Sequence, residues 1–217
     1  MKVTESVSER QSWSSAMRIE DIRVYGLNES VMASGLPFAL PDSTGGQTET
    51  HAFERASRLA STPIGTGHDN FLCGIIVQCT VTAPLYWWPQ LQRYHHIDVV
   101  SSTSTMHTLS RVRDLAADTD PEHIELLFPY FSDKVHENTL IEFCSFCREC
   151  RDSGYSIDLL KANLPCGYLQ TARITTNYRQ LKTVYSQRRS HPLDEWQDFC
   201  RFIESLEASH LIVGVSP

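Results

Sequence analysis

Between Gln90 and His107 the chain concentrates groups able to hold a polar ligand. They are Gln90, Arg93, Tyr94, His95 and His96, then Ser101, Ser102, Thr103, Ser104, Thr105 and His107. A surface loop accounts for a Ser/Thr run alone. This density of amide, guanidinium, imidazole and hydroxyl groups points instead to a polar, anionic ligand. A second set lies further on. From Lys161 to Leu193 there is no Asp or Glu, while Lys161, Arg173, Arg179, Lys182, Arg188 and Arg189 all fall in that window. In a chain of formal net charge −7, the asymmetry marks either a solvated basic face or an anion site. Asn177, Leu181, Val184 and Arg188 follow the helical period, so Arg188 is expected at the margin of a half-apolar, buried face. A guanidinium there needs a partner, and a phosphate or a pair of carbonyls fits its fork. Taken together, the two sets favour a small ligand that carries phosphate.

Other chemistries find little footing. There is no G-x-S-x-G, no Walker A sequence, no H-E-x-x-H and no complete G-x-G-x-x-G. His95, His96 and His107 have only Asp98 nearby to complete a metal set, so hydrogen-bonded or solvated histidines are expected and no metal. Cys144, Cys147 and Cys150 form C-x-x-C-x-x-C, a spacing that can begin an iron–sulfur site. No fourth cysteine lies close, however, and Leu140, Phe143, Cys144 and Cys147 share helical spacing, which predicts a core face. Seven cysteines, an odd number in a chain of 217 residues, fit a reducing, cytoplasmic setting better than a disulfide scaffold. If the chain is an enzyme, a cofactor is expected to carry the chemistry.

These groups must be positioned by a mixed α/β fold. Residues 1–16 read as a flexible, polar tail without the apolar region of a signal peptide, and 17–217 as one domain. Strands are predicted over Met17–Tyr25 and Ile75–Val81. Asn28, Glu29 and Ser30 look like the cap of a short helix through Ala33, and Pro37–Thr50 reads as a loop. Helices are predicted over His51–Ala60, Met106–Leu115, His123–Phe128, His136–Cys150, Ser156–Ala162, Thr175–Gln187 and Leu193–Ala208. The last places Trp196, Phe199, Cys200 and Ile203 on one face. The most apolar stretch, Gly74–Trp88, is too short and too interrupted to span a bilayer. The acidic balance argues against a nucleic-acid-coating protein.

Two blocks of residues resemble a known family. The first is Gly67-His68, then V-x-A-P at Val81–Pro84, then Q-x-x-R at Gln90–Arg93. The second is Leu164-Pro165, N-x-R-x-L at Asn177–Leu181, Arg188, and the pair His191 and Trp196. In order and spacing, over Gly67–Trp196, they are similar to the flavin-dependent thymidylate synthases in a divergent branch. The resemblance implies a small central sheet flanked by helices, assembled as a homotetramer with FAD and nucleotide between subunits. It implies an enzyme that reduces FAD with NADPH and transfers a methylene from methylenetetrahydrofolate to C5 of a uridine monophosphate. His68, Asn70, Arg93, His95, His96, Asn177 and Arg179 would then serve the flavin. Gln90, Arg93, Ser102, Ser104, Lys161 and Arg188 would serve the nucleotide, with Arg93 and Arg188 catalytic.

The departures are specific. The family's R-H-R is Arg93-Tyr94-His95 here, and its Glu, Ser and Arg around the nucleotide phosphate correspond to SSTSTMH, which supplies no Arg in either register. Phosphate contacts are therefore expected from hydroxyls, from Lys161 or from a neighbouring subunit. One branch of the family methylates UMP rather than dUMP in biosynthesis of the nucleoside antibiotic polyoxin, and the altered site is compatible with either substrate. A member that binds nucleotide or flavin without catalysis is the alternative. A nucleic-acid module built on the basic segment fits least, given the acidic chain.

Overall fold

The computed structural model describes residues 17–40 and 49–214, so the expected tail and most of the expected loop at Pro37–Thr50 lie outside it. In chain order the elements are β1 (Arg18–Tyr25), α1 (Leu27–Ala33), α2 (Glu49–Ala60), β2 (Ile76–Pro84), α3 (Trp88–Leu91) and β3 (Asp98–Ser102). They continue with α4 (Thr105–Asp118), α5 (Glu137–Asp152), α6 (Ile157–Ala162), β4 (Leu169–Asn177), α7 (Tyr178–Arg188), α8 (Asp194–Ser205) and α9 (His210–Val213).

Strand β2 is the centre of the sheet. Val77, Cys79, Val81 and Ala83 alternate toward one face and are fully buried, as strand periodicity requires. It pairs antiparallel with β1 on one side and β4 on the other, and β3 closes the far edge in the order β1-β2-β4-β3. The opposite face is polar. Thr80 stands across from Arg173 and Gln78 across from Thr175. Arg173 Nη1 also donates to the Asp21 carbonyl at 2.8 Å.

The sequence reading needs correction here. Thr175–Gln187 is not all helix: Thr175 to Asn177 end β4, and α7 begins at Tyr178. Inward-facing Ala172, Ile174 and Thr176 make an alternation too weakly apolar to stand out, and Asn177 caps the helix rather than lying within it. Strand β3 was hidden in the polar stretch because all five of its residues are exposed at the sheet edge. Helix α1 starts on Gly26, not on a cap by Asn28 to Ser30. Gly26 has φ +72°, and a Cβ there would meet the Gly74 carbonyl oxygen at 2.6 Å, so glycine alone fits. The helix expected at His123–Phe128 is a 3₁₀ stretch, Pro121–Tyr130, with Pro129 inside it.

Two hydrophobic clusters result. The larger lies between the inner face of the sheet, α2, α7 and α8, with Trp87, Trp196 and Phe199 at its centre. The smaller is built by α4, α5, α6 and the 3₁₀ stretch. Cys144, Cys147 and Cys150 are buried on α5 as free thiols, and burial pushes the Cys147 thiol up to about 12. Fully buried Glu195 at the start of α8 bridges the clusters. It accepts from Tyr86 of one and from Lys134 Nζ at 2.9 Å beside the other. Desolvation, and then this carboxylate, raise the Tyr86 phenol to about 12.

A second buried carboxylate fixes α7. Asp69, fully buried in the Gly67–Asn70 segment, accepts from Lys182 Nζ at 2.8 Å, and Lys182 also donates to the Thr62 carbonyl at 2.8 Å. Its other oxygen faces Arg179 Nε at 3.3 Å, an ion pair without hydrogen-bond alignment. Removing one partner strands the other charge in a site it cannot leave cheaply. Asp69→Ala is therefore expected to destabilise the protein by about 3–5 kcal/mol, measured by urea unfolding. A loss below about 1 kcal/mol would show that the pair behaves as a solvated surface bridge.

Candidate active site

Gln90 and Arg93 of the first sequence block meet Arg188, His191 and Trp196 of the second at the C-terminal end of α7. Indole packing sets the floor. Trp196 is fully buried against Trp87 and Phe199, and its Nε1 donates to Gln90 Oε1 at 3.0 Å, which ties α8 to α3. The Arg188 guanidinium lies over the Trp196 ring, Cζ to centroid 4.5 Å, a cation–π contact that needs no carboxylate. Arg188 Nε donates to the Tyr94 hydroxyl at 2.8 Å, and that hydroxyl donates to Gln187 Oε1 at 3.1 Å. His191 stands edge-on to Trp196 and accepts the Leu193 N–H on Nδ1 at 3.2 Å. Desolvation, and then the Arg188 charge, hold its pKa below the ordinary histidine value. Both causes disfavour the charged imidazole beside the guanidinium.

Above this floor lies a concavity of about 320 Å³, lined by Arg93, Tyr94, His95, Gln180, Thr183, Gln187 and Arg188. That size suits part of a nucleotide or cofactor. The lining holds two guanidiniums and an imidazole and no carboxylate, so its field favours an anion. Its volume holds only a portion of a dinucleotide such as FAD. The donor set fits the phosphates and polar ring edges of such a group, and the rest would have to lie against other surfaces.

At the opposite end of α7, Asn177 caps the helix, its Oδ1 accepting from Gln180 N at 2.9 Å. Arg179 in the first turn pairs with Asp69, which holds the exposed His68 and Asn70 beside the helix N-terminus. One helix thus connects both groups of expected flavin and nucleotide residues. Other expected site residues lie elsewhere. Ser102 ends β3 opposite Ala172, and Ser104 precedes α4 as its N-cap residue. Lys161 is exposed near the end of α6. His96 is exposed beyond the lining residues. Among the described residues, no three or more His, Cys, Asp or Glu side chains are grouped to hold a metal ion, so His95, His96 and His107 form no such set.

Sequence reasoning overlooked Asp69 and gave Lys182 no role. Asp69 sits inside the G-H-D-N segment already singled out, and a lone acidic residue beside a Gly-His pair was its only signal. Tyr94 was visible as a departure, but its contact with Arg188 was not.

No family model matches the chain, and no curated protein matches it in sequence. Solved structures do match. Thymidylate synthase X (ThyX) from Helicobacter pylori, determined with FAD and dUMP, aligns with a TM-score of 0.72 at 15% identity, covering 91% of this chain and 97% of that one. Another structure of that enzyme, described as flavin-dependent and complexed with FAD and dUMP, gives 0.71 at 16% identity over 89% and 98%. The UMP/dUMP methylase PolB from Streptomyces cacaoi, bound with 5-Br dUMP, gives 0.61 at 14% identity over 87% and 88%. At such identity the match speaks for architecture. The chain is built on the fold of the flavin-dependent thymidylate synthases.

Proposed function

We infer that the protein is a flavin-dependent methylase acting at C5 of a uridine monophosphate, dUMP or UMP. One observation carries this reading: Arg93, His95 and Arg188 converge on a single concavity within a fold of which one solved example holds FAD and dUMP and another holds 5-Br dUMP. When bound, FAD supplies the redox chemistry, drawing on NADPH to reduce a methylene taken from methylenetetrahydrofolate to the level of a methyl group.

The chain's own groups have separate tasks in this reading. Arg188 offers donors to a pyrimidine carbonyl and stabilises the negative charge that develops there, a role a fixed guanidinium performs without reorganising. Arg93 adds a second cation at the same concavity, serving flavin and nucleotide. The Gln90 amide is oriented by Trp196, which leaves its NH₂ for the nucleotide. His68, Asn70, His95, His96, Asn177 and Arg179 serve the flavin along α7 and the segment before β2. Ser102, Ser104 and Lys161 stand away from the concavity, so here they bind nucleotide phosphate in a site completed by a second copy. The chain then works as a homotetramer. Among the described residues no helix is long and apolar enough to cross a membrane, in keeping with an enzyme working on free nucleotides in the cytoplasm.

FAD-loaded protein incubated without oxygen with NADPH, methylenetetrahydrofolate and either dUMP or UMP should yield the 5-methyl nucleotide, detected by mass spectrometry. Arg188→Ala should lower kcat/KM by roughly 100-fold or more. Absence of methylation with both nucleotides would leave a protein that binds flavin or nucleotide without catalysis. Full activity in Arg188→Ala would refute the role given to that residue.

A further inference from the structure

Arg188 is held on two sides by groups that carry no charge. Its Cζ lies over the Trp196 ring at 4.5 Å, and its Nε is bonded to Tyr94. A guanidinium has five N–H donors in one plane. Fixing Nε by its hydrogen bond and Cζ over the indole leaves Nη1 and Nη2 as a restrained pair with no protein partner among the described residues, at the wall of the concavity. The Tyr94 hydroxyl is itself restrained. Its proton goes to Gln187 Oε1, so its lone pairs face Arg188, and its nearly buried ring stands edge-on to Trp196 at 6.1 Å.

We propose that Tyr94 is a positioning residue that locks the Arg188 guanidinium and makes its Nη edge a fixed two-donor reader of in-plane acceptor lone pairs on the substrate. The ligand group it selects is one whose in-plane lone pairs meet two parallel N–H donors, as those of a uracil carbonyl oxygen do. A single-point anion is a poorer match, because the lock removes the rotation that would follow it. The role rests on the methylase reading only for the identity of that ligand. The lock itself is a property of the protein alone.

Tyr94→Phe tests it, since the ring packing on Trp196 is kept and only the hydroxyl is lost. The first readout needs no ligand. In full-length protein labelled with ¹⁵N-arginine, the Arg188 Nε–H resonance, identified by its loss in Arg188→Lys, is expected to exchange slowly with solvent. In Tyr94→Phe it should exchange at least about tenfold faster. Equal exchange in both proteins, or fast exchange in the wild type, overturns the proposal. The second readout is turnover. Tyr94→Phe should lower kcat/KM for the uridine nucleotide about tenfold, and the effect should vanish in an Arg188→Ala background. The same loss in both backgrounds overturns the proposal, because Tyr94 would then act independently of Arg188. A protected Nε–H that Tyr94→Phe exposes, in a protein binding no uridine nucleotide, supports the lock and counts against the methylase reading instead.

Discussion

The fully buried indole of Trp196 is the contact on which the candidate site depends. It packs on Trp87 and Phe199 inside the larger cluster, its Nε1 holds Gln90, and its ring carries Arg188. Helix α3 is brought to the consecutive helices α7 and α8, far from it in sequence, by one side chain that is apolar enough to bury and polar enough to orient. A cation placed against that ring keeps one side toward solvent and needs no carboxylate to neutralise it. That leaves the positive charge available to a ligand. Replacing the contact by an ion pair would give the same position and a weaker site.

The buried carboxylates do the complementary work. Asp69 ties the segment before β2 to α7 through Lys182 and Arg179, and Glu195 ties the start of α8 to Tyr86 and Lys134. Each satisfies charges that would otherwise be costly where they stand. The basic character of the Lys161–Leu193 stretch is therefore partly structural. Lys182 is spent on the fold, and Arg173 on the polar face of the sheet. Arg188 is the member of this stretch that lines the concavity.

Much of this was legible in the amino-acid sequence because it follows from strong periodicity. Strand β2 and the buried face of α8 were readable from alternation and from the spacing of Trp196, Phe199, Cys200 and Ile203, all of them buried. The burial of Cys144 and Cys147 followed from their helical phase with Leu140 and Phe143. Strands β3 and β4 were not readable. One is wholly exposed, and the other turns small residues such as Ala172 and Thr176 inward, so their strand character comes from hydrogen bonding to neighbours rather than from composition. Ion pairs across 113 residues, such as that of Asp69 with Lys182, leave no local pattern at all. Sequence has drifted far here while the fold is kept, with identities of 14–16% to the aligned structures. This accords with a chain that no family model matches and whose fold nevertheless aligns with solved enzymes over about nine-tenths of its length.

The most direct test of the central claim is the visible absorption spectrum of the purified protein supplied with FAD, recorded before and after NADPH under anaerobic conditions. The account predicts a bound flavin spectrum that bleaches on reduction and returns when methylenetetrahydrofolate and a uridine nucleotide are added. A protein that remains colourless and cannot be loaded with FAD would contradict it.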